Sequence, residues 1–261
     1  MDASMWIAKT GLDAQQMRMS VISNNLANVN TNGFKRDRAN FEDMLYQNLR
    51  QPGAQTGADT QSPTGLMLGT GVRIVSTEKT HSQGSMVTTK NALDIAIQGD
   101  GFFQIAQADG TIAYTRDGSF KLSALGQLVT SNGALLQPAI AIPANVAAIA
   151  IGQDGTVSVE LGGGGGTQVI GQLQVARFVN PAGLQSLGQN LLKETLASGP
   201  PQVAVPGQVG AGTLMQGALE ASNVNVVEEM VNMIETQRAY EINSKAISAV
   251  DGMLRFLNNN M

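Results

Sequence analysis

The chain contains no cysteine. A disulfide framework, a thiolate zinc site and a thiol nucleophile are therefore excluded. The lack also suits a protein that crosses unfolded into an oxidising compartment. There is a single histidine, His81, so a multi-histidine metal site is unavailable. His81 offers at most a lone general base; the simpler reading is a polar residue at a strand edge. Aromatic residues make up only 4% and charged residues 14%, which argues against a compact, deeply pocketed enzyme core. The formal net charge of −4 removes any general electrostatic case for nucleic acid or an anionic membrane. No run approaches the roughly 18 apolar residues of a membrane span. The opening MDASMWIAKTGLDAQQMRMS lacks a basic stretch followed by a sustained apolar one, so no cleavable signal is expected. Export, if it occurs, is expected to be signal-less.

What is present divides into two helical ends around a β middle, within 261 residues that suffice for one domain or two small ones. From Met5 an apolar residue recurs every seventh position, at Met5, Leu12, Met19 and Leu26, with a companion row Ala8, Gln15, Ile22 and Val29. This is a heptad-like stripe. Ser4 can cap its start, and Gly33 is placed to stop the helix. A second short helix is expected from Asn40 to Leu49, with Phe41, Met44, Leu45 and Leu49 on one side. At the other end Asn225 can cap a helix with Glu228 three positions on, as in a capping box. Val226, Met233, Tyr240, Ile247 and Leu254 then recur every seven residues, and Met230 joins the same side. A helix from Val226 to Leu257 would be about 48 Å long. So narrow a stripe needs a partner helix, which the opposite end of the same chain could supply.

Between the ends the period becomes two. Leu93, Ile95 and Ile97 alternate before Gly99-Asp100-Gly101. The runs FFQIA, TIAYT, SFKLS and QLVT are separated by Asp109-Gly110, Asp117-Gly118 and Leu125-Gly126 and followed by Asn132-Gly133, and Asp154-Gly155 punctuates a later pair. Asp-Gly and Asn-Gly are hairpin signals because they accept positive φ. The expectation is an antiparallel sheet or barrel. Five consecutive glycines at 162–166 read as a hairpin tip, and the Gly/Pro-rich 198–213 as an extended connector.

Little of this carries chemistry. Asp100, Asp109, Asp117 and Asp154 sit where tight turns want Asp on structural grounds, and no calcium-loop spacing accompanies them. Arg116 stands beside Asp117, where a local ion pair would be worth little if exposed. The glycines of Gly65–Gly71 lack the strand and helix of a nucleotide fingerprint. A wall-lytic activity on a carboxylate pair stays open, but nothing singles out a pair. No catalytic residue, metal ion or cofactor is expected.

The unusual feature is Asn24 to Arg36, NNLANVNTNGFKR, with five asparagines in nine residues. Asparagine is poor inside helices because its amide competes for backbone hydrogen bonds. Placed at a helix end, it can satisfy backbone groups without charge. An uncharged cluster would not repel its copies if subunits packed side by side; the plainer alternative is ordinary capping by one or two of them. SNNLANVNTNGFKR resembles a signature of the flagellar rod and hook axial proteins. ASNVNVVEEMVNMIETQRAYEINSKAI resembles the C-terminal signature of that family, and GDGFFQI with YTRDGSF resembles its β-domain entrance. They occur in the expected order across nearly the whole chain.

The resemblance implies an α+β fold in which N- and C-terminal helices pair as a coiled coil beside a central antiparallel all-β domain. It implies a helical homopolymer lined by the helices, around a narrow export channel, with the β domain outward. The run Trp6–Gln16, the segment YQNLRQPGAQ and the length are most similar to members that build the distal rod, a stiff hollow shaft crossing the periplasm. A proximal-rod or short hook-type subunit is the alternative. The implied partners are further copies of the chain, proximal-rod proteins, hook protein, the P- and L-ring proteins and the flagellar type III export apparatus. Residues 1–45 with 215–261 are assigned to the helical domain, 46–70 and 198–214 to connectors, and 71–197 to the β domain. The assembly interface is expected to comprise Met5, Leu12, Met19, Ile22, Asn24, Asn25, Leu26, Asn28, Val29, Asn32 and Gly33, with Val226, Met230, Met233, Tyr240, Ile247 and Leu254. The first connector has the composition of a solvated loop. Its expected task is to stiffen the shaft by lying on a neighbouring subunit, through Tyr46, Arg50, Gln51, Pro52, Gln55, Gln61 and Pro63.

Overall fold

The computed structural model describes residues 3–53, 63–143, 145–162 and 165–259. Gln55, Gln61 and residues 163 and 164 of the pentaglycine lie outside them. The chain has an N-terminal helix, a β-rich middle and a C-terminal helix. It divides into a helical unit, residues 1–26, 37–78 and 225–261, and a β unit, residues 27–36 and 79–224.

In the helical unit, α1 (Ala3–Ala27) and α2 (Val226–Asn259) bear the two heptad stripes. At 1.5 Å per residue they are about 37 and 51 Å long. α2 starts where the cap was expected: Asn225 Oδ1 accepts the amides of Val227 at 3.0 Å and Glu228 at 3.4 Å. α1 ends six residues before Gly33. Gly33 is left-handed, at φ 69°, but it closes a later turn instead of the helix. A Cβ there would lie 2.6 Å from the Asp117 amide nitrogen, so the site excludes every side chain.

The short helix expected over Asn40–Leu49 is absent. Asp37–Asp43 is a strand paired with Val72–Lys79, and Gln47–Arg50 pairs antiparallel with Leu66–Leu68. The apolar spacing satisfied a helical period, but a ladder to distant strands supplies the backbone bonds, and such partners override local preference. The first connector therefore begins and ends as a two-stranded ribbon.

The β unit follows the turn signals closely. Its largest sheet is antiparallel, in the order Gln185–Gly188, Leu191–Lys193, Ile112–Thr115, Phe103–Ala106, Leu135–Gln137, Leu128–Val129 and Lys121–Leu122. Val146–Ile151, Thr156–Leu161 and Gly165–Gln172 form a second sheet, in which Leu161 opposes Gly165. The Gly/Pro-rich stretch contributes Gln202–Ala204, which pairs with Val175–Arg177. Ile95–Gln98 departs from simple alternation, because Ile95, Ala96 and Ile97 are all buried. One core joins Ile95, Ile97, Phe103, Ile105, Phe120 and Val157 among others. A second gathers Phe102, Tyr114, Phe178 and Leu192, whose rings meet edge to face at 4.7–5.9 Å, the arrangement favoured by ring quadrupoles.

Candidate functional site

The two terminal signatures make their contacts in two places. In the helical unit the buried Asn25 forms a closed pair with the backbone of Asp37. Its Nδ2 donates to the Asp37 carbonyl at 2.9 Å, and its Oδ1 accepts the Asp37 amide at 2.9 Å. The same Nδ2 lies 3.5 Å from Glu229 Oε2 on α2. Fourteen residues earlier on α1, a Cβ on Gly11 would sit 3.1 Å from Asn243 Nδ2. Asn243 is fourteen residues later on α2. Gly11 thus marks a close approach, where a methyl group would require the Asn243 amide to give by a few tenths of an ångström. Thr10 Oγ1 also accepts the amide of Val72, at 3.4 Å, at the start of that strand.

Met5, Leu12, Met19 and Leu26 on α1 and Met233, Tyr240 and Ile247 on α2 are half-buried, and Ile22 is buried. Covered positions on α2 also include Glu229, Thr236, Asn243 and Val250, a second row of period seven that is mainly polar. Beyond this seam both helices carry large apolar side chains in solvent: Trp6, Ile7 and Met17 on α1, and Val227, Met230, Val231, Ile234, Ile242, Met253 and Phe256 on α2. Val227 is 70% and Ile242 66% exposed. Val226 and Leu254 are exposed as well.

In the β unit the end of the first signature meets the start of the last. The Gly33 amide donates to the Glu220 carbonyl at 2.8 Å. The Lys35 ammonium donates to Glu220 Oε1 at 2.5 Å and to the Ser82 carbonyl at 2.8 Å. Arg116 Nη1 donates to Glu220 Oε2 at 3.2 Å, and the Gly84 amide to Oε1 at 2.9 Å. All three charged side chains are buried. Burial holds Lys35 and Arg116 below their ordinary pKa values, and Glu220 opposes that shift in both. The local Arg116–Asp117 pair available in the sequence is thus replaced by a long-range one. Asn223 closes the arrangement: its Oδ1 accepts the Arg36 amide at 2.7 Å, and its Nδ2 donates to the carbonyls of Thr80 at 2.8 Å and Ser82 at 3.1 Å.

The asparagines of the first signature therefore have work within the chain. Asn24 reaches Asp37 Oδ2 at 3.3 Å, Asn28 Oδ1 accepts from Thr31 Oγ1 at 3.1 Å, and the Asn32 carbonyl accepts from Asn190 at 3.0 Å. Val29 is half-buried. Lys35, Arg116, Glu220 and Asn223 were not among the expected site residues. Lys35 lies in the first signature, Arg116 in the YTRDGSF motif and Glu220 just ahead of the last signature, and their only sequence signal is opposite charge in a chain poor in charge; Asn223 carried none. Tyr46, Arg50, Gln51, Pro52 and Pro63 are exposed, beside Leu45 at 90% and the exposed Leu49, Leu66, Met67 and Leu68. Among the described residues no helix is long and apolar enough to cross a membrane.

Comparison with known proteins gives this arrangement a family. Residues 5–35 match the flagella basal body rod protein family, residues 96–159 the flagellar hook protein FlgE/F/G D1 domain, and residues 215–260 the flagellar basal body rod FlgEFG protein C-terminal family. The chain is 59% identical to the flagellar basal-body rod protein FlgG of Buchnera aphidicola subsp. Schizaphis graminum, over 97% of this chain and 98% of that protein. It is 47% identical to FlgG of Borreliella burgdorferi, over 98% and 97%, and 39% identical to FlgG of Bacillus subtilis, over 98% of each chain. With both terminal signatures and the β segment matched in order, the chain belongs to the flagellar basal-body rod protein family.

Proposed function

We propose that this chain is the self-assembling structural subunit of the distal part of the flagellar rod, a hollow shaft that transmits torque and encloses the export channel. The observation that carries the reading is the second apolar face of the helices. Scattered surface hydrophobics are ordinary. Exposed apolar side chains of this size, repeated along both helices, instead mark a surface that is covered on assembly. Val227, Ile234, Ile242 and Met253 would face α1 and α2 of adjacent copies. The subunit acts by packing.

Within one subunit, α1 and α2 pair as an antiparallel coiled coil. The two approaches, Asn25 to Glu229 and Gly11 to Asn243, are separated by two heptads on each helix and run in opposite chain directions. That is the spacing a seam of period seven produces. Met5, Leu12, Met19 and Ile22 on one side, and Met233, Tyr240 and Ile247 on the other, fill the seam. The polar row of Glu229, Thr236 and Asn243 fixes its register, because a buried polar group tolerates few partners.

The ribbon of residues 47–50 and 66–68 supports the stiffening role of the first connector. Leu45, Leu49, Leu66 and Met67 are apolar side chains that a neighbouring subunit would cover, and Pro52 and Pro63 lower the ordering cost of the segment. Proximal-rod proteins, hook protein, ring proteins and the export apparatus are its partners in this scheme. Electron microscopy of concentrated protein tests it. Straight tubes are expected from the native chain and none from Ile242→Asp; straight tubes from both would refute the assignment of the exposed face.

A further inference from the structure

Beside the aromatic cluster of the β unit is a cavity of about 210 Å³, whose walls include His81, Asp100, Phe102, Arg116, Arg177 and Phe178. We propose that this cavity is a binding site for a carboxylate, held between the guanidinium groups of Arg116 and Arg177. Nothing in the assembly described above uses it, and the site stands whether or not the chain polymerises.

The donors come first. Arg116 is buried, gives Nη1 to Glu220 and lies 5.3 Å from the Phe102 ring centre. Its Nε is buried with no hydrogen-bond partner. A guanidinium cannot shed its charge, and a buried donor without a partner is costly. Arg177 gives Nη1 to the Val209 carbonyl at 2.6 Å, which fixes the side chain. Its Nη2 has Asp100 Oδ2 only at 4.0 Å, and that carboxylate is 79% exposed. Two forks are thus held by other bonds, each with donor capacity left. Carboxylates match such forks in geometry as well as charge.

The surrounding charge agrees. Lys35, Lys79 and Arg116 all act to lower the His81 pKa, which burial first depresses, so that it stands at about 4. His81 is therefore neutral at pH 7 in a positive field. The edge-to-face contacts of Phe102 with His81 and Phe178 make the wall apolar, and a charge pair shielded from water is stronger. Size narrows the ligand. A water occupies about 30 Å³, so the cavity admits a carboxylate on a short aliphatic stem. It is smaller than the roughly 300 Å³ or more of sites for larger organic ligands. Acetate, a small free carboxylic acid, or an Asp or Glu side chain of another copy would fit.

As the only histidine in the chain, His81 is an unambiguous reporter. Its imidazole resonances are followed by NMR in the dilute full-length protein at pH 7, with acetate as the probe and inorganic phosphate for comparison. Acetate is expected to give a saturable shift and to raise the His81 pKa, since an anion offsets the three cations. Arg177→Gln should weaken binding at least about tenfold, the loss of one charge-assisted bond. Asp100→Asn should tighten it, because the native carboxylate competes for Nη2. That gain cannot come from misfolding. A linear response to acetate, equal affinity in Arg177→Gln, or tighter binding of phosphate would overturn the proposal. Raising the protein concentration in carboxylate-free buffer separates the sources. A His81 shift that grows with concentration assigns the carboxylate to another copy. No such shift, with saturable acetate binding, assigns the site to a free carboxylate.

Discussion

Replacing Glu220 with glutamine tests whether the buried ion cluster holds the two signatures together. Glu220 accepts from Lys35, Arg116 and the Gly84 amide, and neither cation has access to water. Glutamine keeps the size and one acceptor for Gly84, yet leaves two buried positive charges without a counter-ion. Breaking a buried pair by removing one partner costs about 3–5 kcal/mol, and two cations are stranded here. Lys35→Met is the matched control. It leaves Arg116 and Glu220 as a balanced pair and removes one charged hydrogen bond, at about 1.5–3 kcal/mol. The assay is a urea titration of the dilute full chain, followed by the amide signals of Ile95–Gln98. With an m-value of about 2 kcal/mol per molar, Glu220→Gln should lower the midpoint by about 2 M and Lys35→Met by about half as much. Equal losses in the two variants would refute the reasoning, because the asymmetry rests on stranded charge and not on lost contacts.

Three further outcomes follow from the same geometry. His81 binds its proton at about pH 4 in the folded chain and near 6.5 when unfolded. The unfolded state therefore holds more protons between those values, and stability should fall as pH drops from 6.5 to 4. The loss is up to about 3 kcal/mol at 1.36 kcal/mol per unit; urea midpoints of native protein and His81→Gln should diverge across that window, and parallel profiles would contradict the assignment. Leu26→Asp or Ile247→Asp should abolish tube formation, since an unpaired carboxylate in the seam costs roughly several kcal/mol per subunit. Amide protection in Phe103–Ala106 should stay native, and normal motility with either variant would place these faces outside the packing. Deleting residues 47–64 should leave assembly intact but yield flexible or curved tubes; straight, equally stiff tubes would show the segment to be passive.

Local rules were enough for much of this architecture. The heptads at Met5–Leu26 and Val226–Leu254 located both helices, and Asn225 located the start of α2, because helix periodicity and capping are settled within a few residues of chain. The Gly-containing corners located the strands from Ile95 to Leu161 for the same reason: glycines at positions such as 110, 126, 133 and 155 supply the positive φ that a turn needs. Asn40–Leu49 failed because its apolar spacing suits a helix, whereas two strands further along the chain, Leu66–Leu68 and Val72–Lys79, supply the hydrogen bonds. No rule of spacing could match Lys35 to Glu220 across 185 positions, place Arg116 on that carboxylate instead of beside Asp117, or require Gly33 through a contact with the Asp117 backbone. Those choices rest on burial. A charge removed from water must find its counter-charge in the finished packing, and only the folded chain brings the candidates within reach.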